Sequence, residues 1–310
     1  GSMSGAKLDG LKSAAKSLVD AVYSAPGAAD NVKVAIVPFA KYVNVGLDYR
    51  DESWIDVLPD STTTNYSCWN TYPNKTSSNC ETVTKTCYND GVPYSCTSTQ
   101  CTWDYGAPVQ VCGNTTTTKK WYGCVGSRSY PLDVKTGSGF GSRVPGIMNT
   151  SCTKTLTRLT NDKSDVLSTI DAMTAVGETF VQPGLIWGWR TLDWKAPFAD
   201  GFNPASTPEG KKFMVVMTDG ANTKSPTYPD HAGSDKILSN KLAKESCANI
   251  KAEGVIVYTV AFGVSEADIE DVLTSCATSS AHYYTAADAT ALKDVFQEIA
   301  KSMTAVRIDR

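Results

Sequence analysis

The 310-residue sequence has little net charge and no long hydrophobic run. Lysine and arginine total 29 against 32 aspartates and glutamates, so the net charge of −3 offers no basic surface for nucleic acid. No stretch approaches the ~20 apolar residues that span a bilayer, and no signal peptide is visible at the start. We therefore expect no nucleic-acid partner. We also expect any export signal or membrane anchor of the full-length protein to lie upstream of residue 1.

The sequence also lacks common catalytic motifs. It contains no Gly-x-Ser-x-Gly and no His-Glu-x-x-His, and its two histidines, His231 and His282, lie far apart along the chain. His231 falls in a polar loop and His282 beside a run of tyrosines, so both are interpreted as structural or solvated. These absences favour binding over catalysis, with a secreted hydrolase that uses His231 as an alternative.

Residues 61–120 have almost no aliphatic side chains. This segment contains no Leu, Ile, Phe or Met, and Ser and Thr supply 21 of its 60 residues. Such a composition cannot bury enough apolar surface to offset the entropy of ordering the segment. We predict a cross-linked insertion over residues 50–155. It is interpreted either as a stapled surface loop without a role of its own or as a platform that binds a partner.

Cysteine is the residue type that distinguishes this insertion. Eight of the ten cysteines fall within it: Cys68, Cys80, Cys87, Cys96, Cys101, Cys112, Cys124 and Cys152. No Cys-x-x-Cys is present, so disulfides are favoured over zinc, and we predict that these eight pair among themselves in an exported protein. The remaining two, Cys247 and Cys276, are predicted to pair with each other. Two buried free thiols are the alternative for them.

The sequence on both sides of the insertion alternates between helix-like and strand-like patterns. Apolar residues recur at helical spacing in residues 5–23, whereas 33–40, 213–217 and 255–262 are short apolar runs typical of buried strands. Further elements follow the same alternation: helices near 163–173, 185–192, 236–252, 266–275 and 288–303, and a short strand near 282–285. The pattern predicts an α/β domain with a doubly wound, mostly parallel sheet. Residues 1–49 and 156–310 are predicted to form it, on either side of the insertion.

Three side chains that carry oxygen are predicted to lie at strand ends, where open α/β sheets bind ligands. Asp219 follows the strand at 213–217, Thr179 lies in a loop ahead of a helix, and Ser2 precedes the first helix. One carboxylate with hydroxyl oxygens suits Mg²⁺ or another hard divalent cation, with water or a partner completing the coordination. Taken singly, Asp219 could be a turn residue and Thr179 a helix cap.

Taken together and in this order, these features resemble the von Willebrand factor A-type domain, most closely in TadG-like proteins of bacterial tight-adherence (Tad, Flp) pilus systems. The segments that carry the resemblance are GSMSGAKLDGLKSAAKSLVDAV (1–22), WYGCVGSR (121–128), LTRLTNDKSDV (156–166), GETFVQPGLIWGWRTL (177–192), VMTDGANT (216–223), SCANIKAEGVIVYTVAF (246–262) and the tail 276–303. The resemblance implies a non-enzymatic role in assembling or anchoring an adhesive pilus at the bacterial envelope, through a protein partner. A structural envelope component that associates with itself is the alternative.

The resemblance also implies a metal-ion-dependent adhesion site. In this family a first loop of the form Asp-x-Ser-x-Ser, a Thr from a second loop and an Asp from a third hold the cation. Thr179 and Asp219 match the second and third loops, and Ser2 matches the second serine of the first loop if Gly1 and Ser2 are native rather than added before Met3. The first Asp, the first Ser and the central strand that carries them have no counterpart in residues 1–310. The resemblance thus implies a domain shortened at its N-terminus, with an incomplete metal site.

Overall fold

The computed structural model describes residues 2–28, 31–89, 92–136 and 142–305. The chain divides into two compact units, which are Gly1–Leu58 with Trp121–Arg310, and Pro59–Lys120. The second unit is narrower than the predicted insertion, because residues 50–58 and 121–155 pack with the α/β unit.

Helices and strands of the described residues follow the predicted order in the α/β unit. The helices are α1 (Ala6–Tyr23), α2 (Lys163–Asp171), α3 (Val181–Leu192), α4 (Lys236–Ala252), α5 (Ala267–Cys276) and α6 (Ala289–Ala305). The strands are β1 (Val34–Ile36), β2 (Val43–Asn44), β3 (Ile55–Asp56), β4 (Ser61–Thr71), β5 (Thr76–Asn89), β6 (Val92–Asp104), β7 (Val109–Lys119), β8 (Trp121–Val125), β9 (Val144–Met148), β10 (Thr157–Thr160), β11 (Lys212–Thr218), β12 (Val255–Phe262) and β13 (Tyr283–Ala286). None of the helices in this described part is long and apolar enough to cross a membrane.

A three-stranded parallel sheet, in the order β11-β12-β13, lies between two layers of helices. In β12, Val257 and Ala261 pack with α3, α4 and α5, whereas Tyr258, Val260 and Phe262 pack with α1 and α6. Successive side chains of a strand point to opposite faces of the sheet, so β12 is buried on both sides. This double burial is the reason that β11 and β12 are nearly continuous apolar runs in the sequence.

The other strands of this unit form mixed and antiparallel pairs, which corrects the prediction of one doubly wound, mostly parallel sheet. β1 pairs antiparallel with β10, and a separate four-stranded sheet has the order β2-β8-β9-β3. This second sheet surrounds an aromatic core that includes Trp54, Trp121, Trp187 and Phe198. The strands β2 and β3 have two residues each, too few to show a hydrophobic period in the sequence.

The second unit is a β-ribbon rather than an irregular loop. β4 pairs antiparallel with β7 along its whole length, and β5 pairs antiparallel with β6. Threonines face each other across the first pair, where Thr64 Oγ1 lies 3.2 Å from Thr116 Oγ1. Because threonine is β-branched, it favours extended strands even where no aliphatic core is available.

Five disulfides cross-link the chain, three within the ribbon and two within the α/β unit. The pairs are Cys68–Cys112, Cys80–Cys101 and Cys87–Cys96 in the ribbon, and Cys124–Cys152 and Cys247–Cys276 in the α/β unit. The eight cysteines of the predicted insertion therefore pair among themselves. The pairing of Cys247 with Cys276 joins α4 to the end of α5, and no free thiol remains.

Candidate functional site

A large apolar cleft separates β1 from β11 in the α/β unit. Its volume is about 1470 Å³, and its lining includes Val34 and Ile36 on one side and Phe213, Val215 and Met217 on the other. β11 pairs with β12 and β1 pairs with β10, and neither strand has a second neighbour among the described residues. Both strands therefore present an unpaired edge of backbone N–H and C=O groups towards the cleft.

Ser2, Thr179 and Asp219 all border this cleft. Asp219 directly follows the last residue of β11, and the Ser2 hydroxyl donates a hydrogen bond of 2.9 Å to Asp219 Oδ1. Asp219 is 8% exposed, whereas Ser2 is exposed and Thr179 is half-buried. The structure thus brings the three residues singled out in the sequence to one cleft, with Ser2 in direct contact with Asp219.

Backbone hydrogen bonds fix Thr179 to the loop that follows Asp219. The amide of Thr179 donates to Thr223 Oγ1 at 2.9 Å, and its carbonyl accepts from the amides of Thr223 at 2.9 Å and Lys224 at 3.1 Å. Behind this contact, buried Asn222 accepts a hydrogen bond of 2.8 Å from the amide of Val181 at the start of α3. Asn222 and Thr223 were not singled out in the sequence, although both belong to the segment VMTDGANT that contains Asp219.

Lys7 is a further residue of this site that the sequence did not reveal. Its Nζ lies 3.5 Å from Asp219 Oδ2, so the carboxylate has an ammonium partner as well as the Ser2 hydroxyl. Lys7 is near Asp219 because α1 begins at Ala6, directly after the loop that holds Ser2. The two residues are 212 positions apart in the sequence, so no local sequence pattern could indicate their contact.

The oxygen donors at Asp219 have the chemistry of a hard-cation site, but the charges around them do not fit a divalent cation. The described residues contain no group of three or more His, Cys, Asp or Glu side chains that could hold a metal ion. The Lys7 ammonium is already paired with the carboxylate and would repel a cation at the same oxygen. Binding of Mg²⁺ here needs a further carboxylate and the displacement of Lys7.

A comparison with known domain families finds a match within this unit. Residues 146–298 match the family model of the von Willebrand factor type A domain. This segment, just under half of the chain, is therefore similar to a von Willebrand factor type A domain. The matched segment includes Thr179 and Asp219, whereas Ser2 and Lys7 precede it.

Solved structures similar to the chain include a pilus adhesin and a thread matrix protein. The pilus adhesin SpaC from Lactobacillus rhamnosus GG has 11% sequence identity and a TM-score of 0.45, over 96% of this chain and 28% of that chain. Proximal thread matrix protein 1 from the mussel byssus, in a form described as having a zinc-occupied MIDAS motif, has 17% identity and a TM-score of 0.31, over 47% of this chain and 32% of that chain. The chain thus spans less than a third of either protein. A search of curated proteins returned no match.

His231 is buried inside the α/β unit and is not solvated. Its ring stacks on Tyr42 with centroids 4.8 Å apart and meets the edge of Phe180 at 5.0 Å. Nδ1 lies 2.6 Å from the carbonyl oxygen of Lys41, which can only accept, so Nδ1 donates and Nε2 accepts from the Ser127 hydroxyl at 2.7 Å. Burial lowers the pKa of His231 to about 4, so the ring is neutral at pH 7.

The Ser127–His231 pair has the hydrogen bond of a nucleophile with its base. However, Ser127 borders a cavity of about 10 Å³, which holds roughly one water molecule and no substrate. His282 accepts or donates a 2.8 Å hydrogen bond with Ser279 and lies against Tyr258. The contacts of both histidines are therefore those of structural residues.

The ribbon presents a second candidate surface, made of exposed aromatic side chains. Trp69, Tyr72, Trp103 and Tyr105 are each more than 40% exposed. Lys75 Nζ lies 4.2 Å from the ring centroid of Trp103 and 4.9 Å from that of Tyr105, which in turn meets Tyr72 edge-on at 5.3 Å. Aromatic residues are enriched at protein interfaces, so this arrangement favours the partner-binding interpretation of the insertion.

Proposed function

We propose that this chain is a non-enzymatic binding domain of an exported bacterial protein that assembles or anchors a tight-adherence pilus through a protein partner. The observation that carries the proposal is the cluster of Ser2, Thr179 and Asp219 beside the carboxyl end of β11. Ligands bind at this edge of open α/β sheets. Von Willebrand factor type A domains are generally adhesion modules rather than enzymes, which supports a protein as the ligand.

The disulfides support a location in the periplasm or at the cell surface. Five disulfides in one chain are typical of an oxidising compartment, because cytosolic thiols are kept reduced. In this proposal the full-length protein is held in the membrane by a segment upstream of residue 1.

The cleft is the proposed place of one further strand, between β1 and β11. The unpaired edges of both strands could be satisfied by a single extended segment, and the apolar lining suits apolar side chains. A strand that leads into Ser2 and runs parallel to β11 would occupy the position that the family resemblance gives to the first strand. If that strand ended in Asp-x-Ser, it would bring a second carboxylate towards Asp219 and offer Lys7 another partner.

The second carboxylate would balance the positive charge of Lys7 at the candidate site. In this proposal the chain extended by the strand binds a divalent cation, with oxygen donors from Ser2, Thr179 and Asp219. An Asp or Glu of the protein partner would fill the remaining position. If no cation is bound, the ribbon would recognise the partner instead. EDTA would weaken partner binding in the first case and leave it unchanged in the second.

The proposed function is tested in the bacterium that encodes this chain. The chromosomal gene is replaced by a copy that encodes the Asp219→Asn or the Thr179→Ala variant. Surface pili are then counted by electron microscopy in cells that contain equal amounts of the protein. We expect both variants to lose pili, whereas Asp271→Asn, which changes an exposed carboxylate paired with Lys244, keeps them. Normal pilus numbers in both site variants would rule out a role for the strand-end cluster.

A structural component that associates with itself is the second candidate, and one observation favours it. Within the described residues, the ribbon strands β4 and β7 pair with each other and have no further neighbours. Exposed edges of this kind can pair with another copy of the same strand. Light scattering at rising concentration distinguishes the two candidates, because a pure partner-binding domain keeps a constant mass.

A further inference from the structure

Four side chains of the ribbon form a cluster that is held in place without being buried. Tyr72, Trp103 and Tyr105 are between 41% and 47% exposed. Lys75 Nζ lies over the rings of Trp103 and Tyr105, and Tyr72 meets Tyr105 edge-on. We call these four residues the aromatic cluster. Contiguous apolar surface of this kind marks a site of interaction, because exposing it to water is unfavourable.

The register of β5 and β6 fixes the cluster on one face of the ribbon. Thr76 pairs with Asp104, and Lys75 and Tyr105 directly adjoin this pair at the end of the two strands. Lys75 contacts both Trp103 and Tyr105, so these three side chains lie on the same face. The contact between the ammonium and the rings orients the rings in advance, so a ligand meets them with little loss of side-chain freedom.

The charges of the ribbon do not suit a polyanion. Residues 59–120 contain four lysines and no arginine against four aspartates and glutamates, so their formal net charge is zero. The Lys75 ammonium already faces two rings, and the exposed carboxylate of Asp104 adjoins Tyr105 in the sequence. A nucleic acid or an acidic polysaccharide needs several cations along its path, so the ligand of this surface is a neutral molecule.

Hydroxyl and amide side chains accompany the cluster, whereas aliphatic side chains are scarce. Residues 59–120 contain no Leu, Ile, Phe or Met. Ser77 pairs with Trp103 across the strands, and Asn74 lies beside Gly106, the residue after Tyr105; both Ser77 and Asn74 are exposed. The centre of a protein–protein interface is more apolar than this. The surface instead fits a ligand that has flat apolar faces and a rim of hydroxyl groups.

We propose that the aromatic cluster binds a neutral polysaccharide of β-linked glucose or N-acetylglucosamine units. All ring substituents of these pyranoses lie equatorially, so both faces of each sugar ring present C–H groups. Such C–H groups carry a partial positive charge and pack against the electron-rich face of an aromatic ring. The hydroxyl groups at the rim of the sugar exchange hydrogen bonds with Ser77 and Asn74. The site belongs to the ribbon and is separate from the cleft at Asp219.

The experiment is calorimetric titration of the oxidised chain with cellohexaose and with chitohexaose. We expect at least one hexaose to bind, and to bind more tightly than the disaccharide of the same unit, because a longer chain contacts more than one ring. Sodium chloride and EDTA should leave this binding unchanged, since neither ion pairs nor a cation contribute to it.

Variants of the cluster locate the binding site. Trp103→Ala should weaken binding about tenfold, because it removes the largest stacking surface, whereas Trp103→Tyr keeps an aromatic face and should retain most of the affinity. Tyr66→Ala is the matched control, since it removes an exposed ribbon aromatic outside the cluster and should bind like the unaltered chain. If Trp103→Ala does not fold, as judged by circular dichroism, Tyr105→Ala replaces it.

Three results would overturn the proposal. They are no binding of either hexaose by the unaltered chain, equal affinity of the cluster variants and the unaltered chain, and tighter, salt-sensitive binding of a heparin hexasaccharide. Asp219→Asn should bind the hexaose normally, because the cleft is not involved. The saccharide site and the role of the strand-end cluster in pilus assembly can therefore fail separately.

Discussion

Acid is expected to destabilise the α/β unit through His231. The pKa of this buried ring is about 4 in the folded chain, against about 6.5 for an unperturbed histidine in the unfolded chain. Between these two values the unfolded chain binds a proton that the folded chain does not. The stability that His231 contributes is therefore complete above about pH 6.5 and is lost as the pH falls towards 4.

The size of the effect follows from the two pKa values. At pH 4.5 the difference in protonation corresponds to about 2.5 kcal/mol, since one pKa unit is worth about 1.4 kcal/mol. Urea unfolding with the disulfides intact, at pH 7.5 and at pH 4.5, measures it. We expect the loss between these pH values to be about 2.5 kcal/mol smaller in His231→Gln than in the unaltered chain.

The control is Gln297→Ala, which changes an exposed uncharged side chain of α6, leaves every ionisable group in place and should keep the pH dependence of the unaltered chain. Carboxylates titrate in all three proteins, so comparing the variants isolates the contribution of the imidazole. An identical pH dependence in the unaltered chain and His231→Gln would refute the argument from burial.

Two further predictions concern the disulfide between α4 and α5 and the lysine at the candidate site. Replacing Cys247 and Cys276 by alanine should lower the free energy of unfolding by about 3–4 kcal/mol, because the cross-link closes a sequence separation of 29 residues. Urea unfolding measures this loss, and a change below about 1 kcal/mol would contradict the expected constraint of the unfolded chain. Lys7→Met should raise the affinity of the Asp219 carboxylate for Mn²⁺ by several-fold in calorimetry, because the competing ammonium at 3.5 Å is removed. An unchanged affinity would show that Lys7 does not compete.

The sequence predicted the parts of the fold whose residues carry a local pattern. β11 and β12 were predictable because strands buried on both faces are continuous apolar runs, and α1 because its apolar residues recur at helical spacing. Asp219 was predictable because it directly follows β11. The pairing of Cys247 with Cys276 was predictable because all the other cysteines fall in the insertion.

The remaining features depend on contacts between distant residues. The ion pair of Lys7 with Asp219 and the burial of His231 between Tyr42 and Phe180 arise when separate segments pack together. Mixed sheets were missed because the two-residue strands β2 and β3 have no period. The sequence predicted the ribbon only as a cross-linked insertion without assigned strands, because its strands are held by cross-strand threonine contacts and disulfides rather than by an apolar face.

The central claim is that the residues at Asp219 become a cation-dependent binding site when a strand fills the cleft. The most direct test is calorimetric titration of Mn²⁺ into this chain and into the chain extended by the residues encoded upstream of Gly1. We expect tight binding at one site in the extended chain, loss of that binding in its Asp219→Asn variant, and weak binding in the shorter chain. Equally tight binding by both chains, or no binding by the extended chain, would contradict it.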